Sequence, residues 1–266
     1  MNILVCCKQV LDPEAPPASF KVNSSDNEMV LPAGVPPVIS PFDEQAIEAA
    51  LRIKDKHGGK ITALSLGVGL VRDVVKKPLS LGADELILLE DVAFEGGDSW
   101  STATALAAAI RKIGEYDIIF CGRQASDWDS GSVGSGIAEL LGVPCVTVAK
   151  DIEVMNGKAK VERVVADGYE VLEVDLPAVI TVSNELGEPR YATLKGIMAA
   201  AKKEPIVWTP TDIGVDPSEI GVSGRLITLV KLFQPVKESK CELVEGDSPE
   251  EAGAKLASRL REAKVL

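Results

Sequence analysis

A glycine-rich stretch between an apolar run and an apolar helix pattern is the first place in the sequence where chemistry could occur. Residues 121–142 read CGRQASDWDSGSVGSGIAELLG. Glycine-rich backbone at a helix start presents N–H groups to phosphate. Asp127 and Asp129 would repel phosphate and have no polar partner set beside them, so they are poor candidates for paired catalytic carboxylates. We expect them to accept hydrogen bonds and shape the turn, while Trp128 either covers a ring or fills a surface groove.

Other small or polar residues follow predicted strands and would lie at the same edge of a sheet. They occupy positions 6–7, 65–67 and 122–125, with SPFD (40–43) and GGDSWST (96–102) between them. Each loop alone is ordinary for an α/β protein, because connections there are short and rich in glycine. Taken together, they predict a slot for a nucleotide.

Several other kinds of site are excluded by what the sequence lacks. No G-x-G-x-x-G follows the first strand, and no G-x-x-x-x-G-K-[ST] occurs, so neither common nucleotide fingerprint is present. His57 is the only histidine and no C-x-x-C exists, which excludes a histidine-based triad and predicts no metal site. We expect the cysteines to be buried free thiols in a reducing cytoplasm. They are Cys6, Cys7, Cys121, Cys145 and Cys241.

Composition limits the partners of the chain. Its 266 residues are 46% hydrophobic and carry a formal net charge of -12. Nucleic acid is an unsuitable partner, because neutralising phosphates needs a positive face. No run of 18 apolar residues occurs and the first residues do not resemble a signal peptide, so we expect a cytoplasmic protein without membrane insertion.

Strands alternate with helices through the first half of the sequence. The strands are predicted at 2–8, 61–67, 85–90 and 117–122, and the helices at 40–59, 71–84, 98–114 and 130–142. Ser40 and Asp98 are the expected caps of their helices, and Pro78 should break the second one. This alternation predicts an α/β fold with a doubly wound, mostly parallel sheet.

The pattern changes twice in the second half. Residues 145–182 indicate a β-meander with a hairpin turn at Asn156-Gly157, which extends the sheet. Residues 205–266 are rich in turns, with one strand-like run at 226–233 and a terminal helix capped by Ser248. We therefore predict a nucleotide-binding α/β domain over 1–204 and an arm over 205–266, which is too thin to bury a core of its own.

Four motifs together resemble the β subunit of electron transfer flavoproteins. They are NELGEPRYATLKGIMAAAKK (184–203), KVERVVADGYEVLEVDLPAVIT (160–181), GRQASDWDSGSVG (122–134) and ISPFDEQAIEAALRIKD (39–55). The resemblance follows essentially the whole chain in order. It implies an adenine nucleotide alpha-hydrolase-like fold and a heterodimer whose α subunit carries an electron-transferring FAD, and the arm would pack on that subunit.

The resemblance also implies a second nucleotide in this subunit. Ordinary members hold AMP there, whereas electron-bifurcating members hold a second FAD that takes a hydride from NADH. Asp98 and Thr102 match the Gly-Asp-x-x-x-Thr pattern of bifurcating members. This match favours FAD in the second site and makes NAD a further candidate ligand. No residue here is expected to be catalytic, because the flavin carries the redox chemistry.

The loops and the resemblance together define an expected cofactor site. Ser40 stands where the family usually has Asn, and Ser132 where many members have Gln. The expected cofactor-binding residues are Cys6, Ser40, Phe42, Leu66, Asp98, Thr102, Arg123, Gln124, Ala125, Asp127, Asp129, Ser130, Gly131, Ser132, Val133, Gly134 and Ser135.

Leu194 is the expected docking residue for a redox partner. With Arg190 and Tyr191 it forms an apolar tip with a polar rim, the arrangement of a docking hot spot. The resemblance implies that this leucine enters an apolar pocket of a flavin-dependent dehydrogenase, such as an acyl-CoA dehydrogenase. The alternative is that Leu194 folds back against Ile197 and Met198 as ordinary core.

A second function class fits part of the sequence. An adenine-nucleotide-binding protein of the universal-stress type would explain the nucleotide slot without a redox role. It would not require the arm over 205–266 or the EPRYATL segment at 188–194.

Overall fold

A large twisted sheet organises the computed structural model, which describes residues 1–16, 19–23, 28–30, 34–235 and 241–265. Its strands alternate with helices up to Leu141, as the periodicity of the sequence predicts. The strands are β1 (Asn2–Cys6), β2 (Gln9–Val10), β3 (Lys21–Asn23), β4 (Glu28–Val30), β5 (Val38–Ile39), β6 (Lys60–Leu66), β7 (Glu85–Leu89), β8 (Ile118–Gly122), β9 (Cys145–Met155), β10 (Lys158–Val165), β11 (Gly168–Asp175), β12 (Ala178–Val182) and β13 (Ile206–Trp208). The helices are α1 (Pro41–His57), α2 (Arg72–Val75), α3 (Lys77–Leu81), α4 (Ser99–Ile113), α5 (Val133–Leu141), α6 (Leu194–Ala201), α7 (Pro210–Ile213), α8 (Gly221–Gly224) and α9 (Pro249–Glu262).

Within the described ranges, nine strands pair in the order β11-β10-β9-β12-β8-β1-β6-β7-β13. The pairs from β9–β12 through β7–β13 are parallel, and β9, β10 and β11 form the antiparallel meander. Asn156 and Gly157 both have positive φ at the β9–β10 turn, as a two-residue hairpin requires. The predicted doubly wound, mostly parallel sheet with a meander extension is confirmed. Because the strand order reverses at β1, this strand marks the switch point where ligands bind in such sheets.

Two apolar layers cover the two faces of the sheet. Ile3 and Val5 of β1 pack in the layer that contains α1, whereas Leu4 and Cys6 pack in the layer that contains α4 and α5. The buried helix residues of both layers mix alanine with isoleucine and leucine, as Ala46, Ala49 and Ile53 of α1 show. This packing fixes the carboxyl ends of β1, β6 and β8 side by side.

The helix predicted at 71–84 is broken into α2 and α3, as predicted, and Pro78 lies in the first turn of α3. Ser40 occupies the cap position of α1 but makes no side-chain capping bond, and its Oγ is buried without a partner. Its backbone N–H donates to the Lys8 carbonyl oxygen, which continues the antiparallel pairing of β2 with β5.

The prediction of a strand at 226–233 is wrong, and a strand forms at Ile206–Trp208 instead. Strand-forming side chains make a strand only where a sheet edge is available. Residues 206–208 reach the edge of β7 and pair with it in parallel, and α7 then packs on α4. Residues 227–230 run along the cavity described below rather than along a strand.

Candidate nucleotide-binding site

A cavity of about 1240 Å³ opens at the carboxyl ends of β1, β6 and β8. Cys6, Leu66 and Cys121 lie at these strand ends and line it. Its walls come from residues 92–102, from residues 122–134 and from a segment at 217–230, which we call the strap. Since pockets for drug-sized ligands measure roughly 300–1,000 Å³, this cavity has room for a dinucleotide.

The glycines of the 121–142 stretch serve the packing of the protein. A Cβ at Gly122 would lie 2.6 Å from Asp43 Oδ1, and one at Gly134 would lie 2.5 Å from Thr181 Cγ2. Only glycine therefore lets the end of β8 approach α1 and lets α5 approach β12. Gly131, with φ of 64°, makes the turn between the two elements. At Gly122 and Gly134, the group that approaches the backbone closely is therefore another part of the chain.

The amino end of α5 faces the cavity. The helix begins at Val133, three residues later than the sequence pattern predicts, and Val133 and Gly134 line the cavity. Its cap residue, Ser132, makes no side-chain capping bond and so leaves the first N–H groups of the helix to another acceptor. Such a helix start favours a negatively charged group.

Arg123 supplies a buried cationic donor at the cavity wall. Its Nε is buried and has no hydrogen-bond partner among the described residues, while its guanidinium lies 4.9 Å from the centre of the Phe42 ring. Its backbone N–H donates to the Val182 carbonyl oxygen and fixes the start of the loop. A buried polar group without a partner indicates a missing ligand or water, and a guanidinium favours phosphate.

Asp127 and Asp129 shape the loop, as expected from the sequence. Asp127 accepts a hydrogen bond of 2.7 Å from Lys8 Nζ, and Asp129 accepts one of 2.7 Å from Gln124 Nε2. Asp129 has φ of 51°, a conformation that Asp tolerates better than most residues. Trp128, which lies between these two aspartates in sequence, is exposed at the border of the cavity.

Asp98 uses both of its carboxylate oxygens within the chain. Oδ1 accepts from the Ser101 N–H at 2.9 Å and caps α4, as predicted. Oδ2 accepts from the N–H groups of Leu226 and Ile227, at 2.7 and 2.9 Å. Thr102 lies one turn into α4 and also lines the cavity.

Asp43 is a site residue that sequence reasoning missed. It is buried under the cavity, where its oxygens accept from the Lys8 N–H at 2.8 Å and the Gly122 N–H at 3.0 Å. Burial raises the pKa of Asp43 to about 7, although these two N–H groups oppose the rise. Asp43 thus ties the ends of β1 and β8 together. The sequence showed it only as an acidic residue in the first turn of a helix.

The structure brings most of the expected cofactor-binding residues to one cavity. Those that line it are Cys6, Leu66, Asp98, Thr102, Arg123, Gln124, Ala125, Ser130, Gly131, Val133 and Gly134. Those that do not line it are Ser40, Phe42, Asp127, Asp129, Ser132 and Ser135. Phe42 and Asp129 each contact a residue that does. The strap was missed altogether, since its turn-rich sequence carries no signal of the long-range contact.

Leu194 lies on the surface at the start of α6. Its side chain is 75% exposed, that of Tyr191 is 92% exposed, and Ile197 and Met198 are also exposed. The alternative that Leu194 forms core with Ile197 and Met198 is therefore wrong. These four residues are called the Leu194 patch below.

Arg190 is committed to α1 and does not stand free at the rim of the patch. Its Nε donates to Glu48 Oε2 at 2.8 Å and a terminal nitrogen donates to Asp55 Oδ2 at 2.9 Å. Burial alone would raise the pKa of Glu48, but Arg190 and Arg52 donate to it and hold the pKa below its usual value. Arg190 thereby fixes the segment that precedes the Leu194 patch.

The expected burial of the cysteines is confirmed for three of the five. Cys6, Cys7 and Cys121 are buried free thiols, whereas Cys145 and Cys241 are exposed. Cys145 is the first residue of β9, where its thiol lies near Ser135 Oγ and solvent rather than in the core. In the described ranges no helix is long and apolar enough to span a membrane.

Comparisons with known proteins agree with the resemblance in the motifs. The electron transfer flavoprotein domain matches residues 29–213. The electron transfer flavoprotein subunit beta of Thermoanaerobacterium thermosaccharolyticum is 41% identical over 267 residues, and that of Clostridium acetobutylicum is 40% identical. The caffeyl-CoA reductase-Etf complex subunit CarD of Acetobacterium woodii is 38% identical. All three alignments cover 100% of both chains. The chain therefore belongs to the electron transfer flavoprotein family, as a homologue of its β subunits.

Proposed function

We propose that this chain is the β subunit of a cytoplasmic, heterodimeric electron transfer flavoprotein and that its cavity holds FAD rather than AMP. The observation that carries the proposal is the cavity at the switch point, where Arg123 presents a buried, unpartnered Nε beside the amino end of α5. Both groups suit the phosphates of a nucleotide. The volume of about 1240 Å³ suits FAD better than a mononucleotide.

The side chains of the cavity would bind and orient the cofactor. Arg123 would neutralise phosphate charge, and its stacking on Phe42 would hold the guanidinium in place. Thr102 would offer a hydroxyl from α4, while the strap would exclude water. When bound, FAD would supply the electron transfer, with NADH as the hydride donor.

We further propose that the arm over 205–266 covers the α subunit. Its described residues beyond α8 expose several large apolar side chains, which a folded chain rarely leaves in water as a group. Those residues are Leu226, Ile227, Val230, Phe233 and Leu243. The helix α9 buries none of its own side chains in this chain, which is consistent with burial against a partner.

The Leu194 patch is the proposed docking surface for a flavin-dependent dehydrogenase, such as an acyl-CoA dehydrogenase. Tyr191 and Leu194 project from the start of a helix that is itself firmly seated. Gly196 gives α6 this seat, because any Cβ at that position would meet the Ser80 carbonyl oxygen of α3. A rigid apolar tip loses little entropy on binding.

Acid release of the cofactors tests the proposal. The chain is produced together with its α subunit, and the nucleotides released from the purified heterodimer are identified and counted. We expect two FAD per heterodimer. One FAD and one AMP would contradict the choice of FAD, and the absence of any nucleotide beyond the FAD of the α subunit would contradict the cavity as a nucleotide site.

The universal-stress alternative receives no support from the family match or from the relatives. All three relatives align over the whole chain, including the arm and the EPRYATL segment that this alternative leaves without a role.

A further inference from the structure

We propose that Asp98 is a positioning residue that holds the strap across the nucleotide cavity, so that retention of the nucleotide depends on a contact made by the arm. The inference rests on the proposed function of the cavity. It assigns to Asp98 a role toward the chain itself, in place of the direct ligand contact that the motif suggested.

The hydrogen bonds of Asp98 carry the inference. One oxygen caps α4 through Ser101, and the other accepts from two successive N–H groups of the strap, those of Leu226 and Ile227. Burial alone would raise the pKa of Asp98, but these three N–H groups hold it below its usual value. Both oxygens are thus engaged by the backbone. Little capacity remains for a hydroxyl or N–H of a ligand.

The base of the strap is fixed independently of Asp98. Ile220 is buried in the α4 layer, and Gly221, with φ of 54°, lies so close to Ala93 that any Cβ would meet its carbonyl oxygen. Val222 lies against Gly96, where a Cβ on the glycine would come within 2.5 Å. The strap therefore leaves a rigid base next to the cavity.

Beyond this base, the side chains of Leu226 and Ile227 pack little against the described residues of this chain. Leu226 is 74% exposed and Ile227 is 68% exposed. Their backbone N–H groups are nonetheless bound to Asp98, and residues 227–230 border the cavity. Asp98 thus anchors Leu226 and Ile227 next to the residues that border the cavity. We therefore expect the strap to slow the release of a nucleotide bound there.

The test uses Asp98→Ser in the heterodimer. Serine is as good a helix cap as aspartate, but its single oxygen caps Ser101 and leaves no acceptor for the strap. The first readout is hydrogen exchange at the Leu226 and Ile227 amides, and the second is the rate at which bound nucleotide is released. We expect both to rise about tenfold or more, as the loss of charge-assisted hydrogen bonds implies.

Asp216→Ser is the matched control, because Asp216 also caps a short helix, Pro217–Glu219, through the Ser218 N–H, whereas the strap amides at 226 and 227 donate to Asp98. It should leave both readouts unchanged. If Asp98→Ser folds poorly, Asp98→Asn keeps the size of the side chain, removes one acceptor oxygen and is read at the same two amides.

Unchanged exchange at the two amides in both Asp98 variants would overturn the inference. Faster exchange with an unchanged rate of nucleotide release would overturn the link between strap and nucleotide. A heterodimer without a second nucleotide, in which Asp98→Ser still frees the two amides, would contradict the proposed function of the cavity while supporting the hold of Asp98 on the strap.

Discussion

The substitution Leu194→Ala separates a docking side chain from a structural one. Leu194 is 75% exposed in the folded chain, at the first position of α6. Truncation to alanine removes the apolar tip and keeps the backbone, and alanine is at least as good a helix former as leucine. The cap of the helix, which Thr193 provides to the Gly196 N–H, is untouched.

The expected loss of stability follows from the exposure. Full burial of a leucine side chain stabilises by about 1.5–3 kcal/mol, so a side chain that is one-quarter buried contributes about 0.4–0.7 kcal/mol. A leucine in the core would cost about 2–5 kcal/mol on truncation. For a chain of this size the surface value lowers the Tm by less than about 3 °C.

The assay measures electron transfer between the heterodimer and its cognate dehydrogenase, together with Tm and flavin content. We expect a rate at least about tenfold lower at limiting partner concentration, which corresponds to about 1.4 kcal/mol of lost docking energy. Met155→Ala, which truncates another exposed apolar side chain on the β9–β10 turn, should leave the rate unchanged. Leu186→Ala, at a buried position, should lower Tm instead.

A large loss of stability with normal partner kinetics in the folded fraction would show that Leu194 is a structural side chain. Equal changes of the electron-transfer rate in Leu194→Ala and Met155→Ala would contradict a docking role for Leu194, since exposure alone would then explain the effect.

Three further changes test other parts of the account. Thr102→Val should weaken nucleotide binding by about 1–3 kcal/mol, because it strands a buried polar partner; unchanged occupancy, measured by release and counting, would remove Thr102 from the site. The pKa of Asp43 is about 7 in the folded chain and near 3.8 in the unfolded chain. Folding therefore favours the protonated carboxyl, and the stability that this provides is lost as the pH rises from about 3.8 to 7. Relative to Asp43→Asn, the original chain should lose up to about 4 kcal/mol over that range in urea unfolding, and a parallel pH dependence in both would contradict this. Deletion of 226–266 should leave a folded chain that no longer co-purifies with the α subunit. Deletion of 205–266 should in addition destabilise the fold, because it removes β13 from the sheet. Equal Tm values for the two truncated chains would contradict this role of β13.

The central sheet could be predicted because its signals are local. Each strand of the first half is a short apolar run, each long helix repeats apolar residues at helical spacing, and Asn156-Gly157 specifies its own turn. Parallel pairing then follows from the alternation of elements. Even the position of the cavity follows, since the carboxyl ends of parallel strands share one edge.

The remaining features depend on partners distant in sequence. β13 forms because β7 has a free edge, and the composition of residues 206–208 does not announce that edge. Asp43 and Asp98 look alike in sequence, as acidic residues at helix starts, yet one ties two strand ends together and the other binds the strap. Arg190 looks like part of a docking rim, but the carboxylates of α1 hold it. Such contacts are decided by tertiary packing.

The affinity of the heterodimer for its second nucleotide, compared between the original chain and Arg123→Gln, tests the central claim most directly. Arg163→Gln is the matched control, because Arg163 also has a buried Nε without a partner in the described part of the chain but lies on the meander and does not line the cavity. Loss of a charge-assisted hydrogen bond, worth about 1.5–3 kcal/mol, predicts a Kd raised about 10- to 150-fold in Arg123→Gln and unchanged in the control. Equal Kd values for all three proteins would contradict the cavity as the nucleotide site.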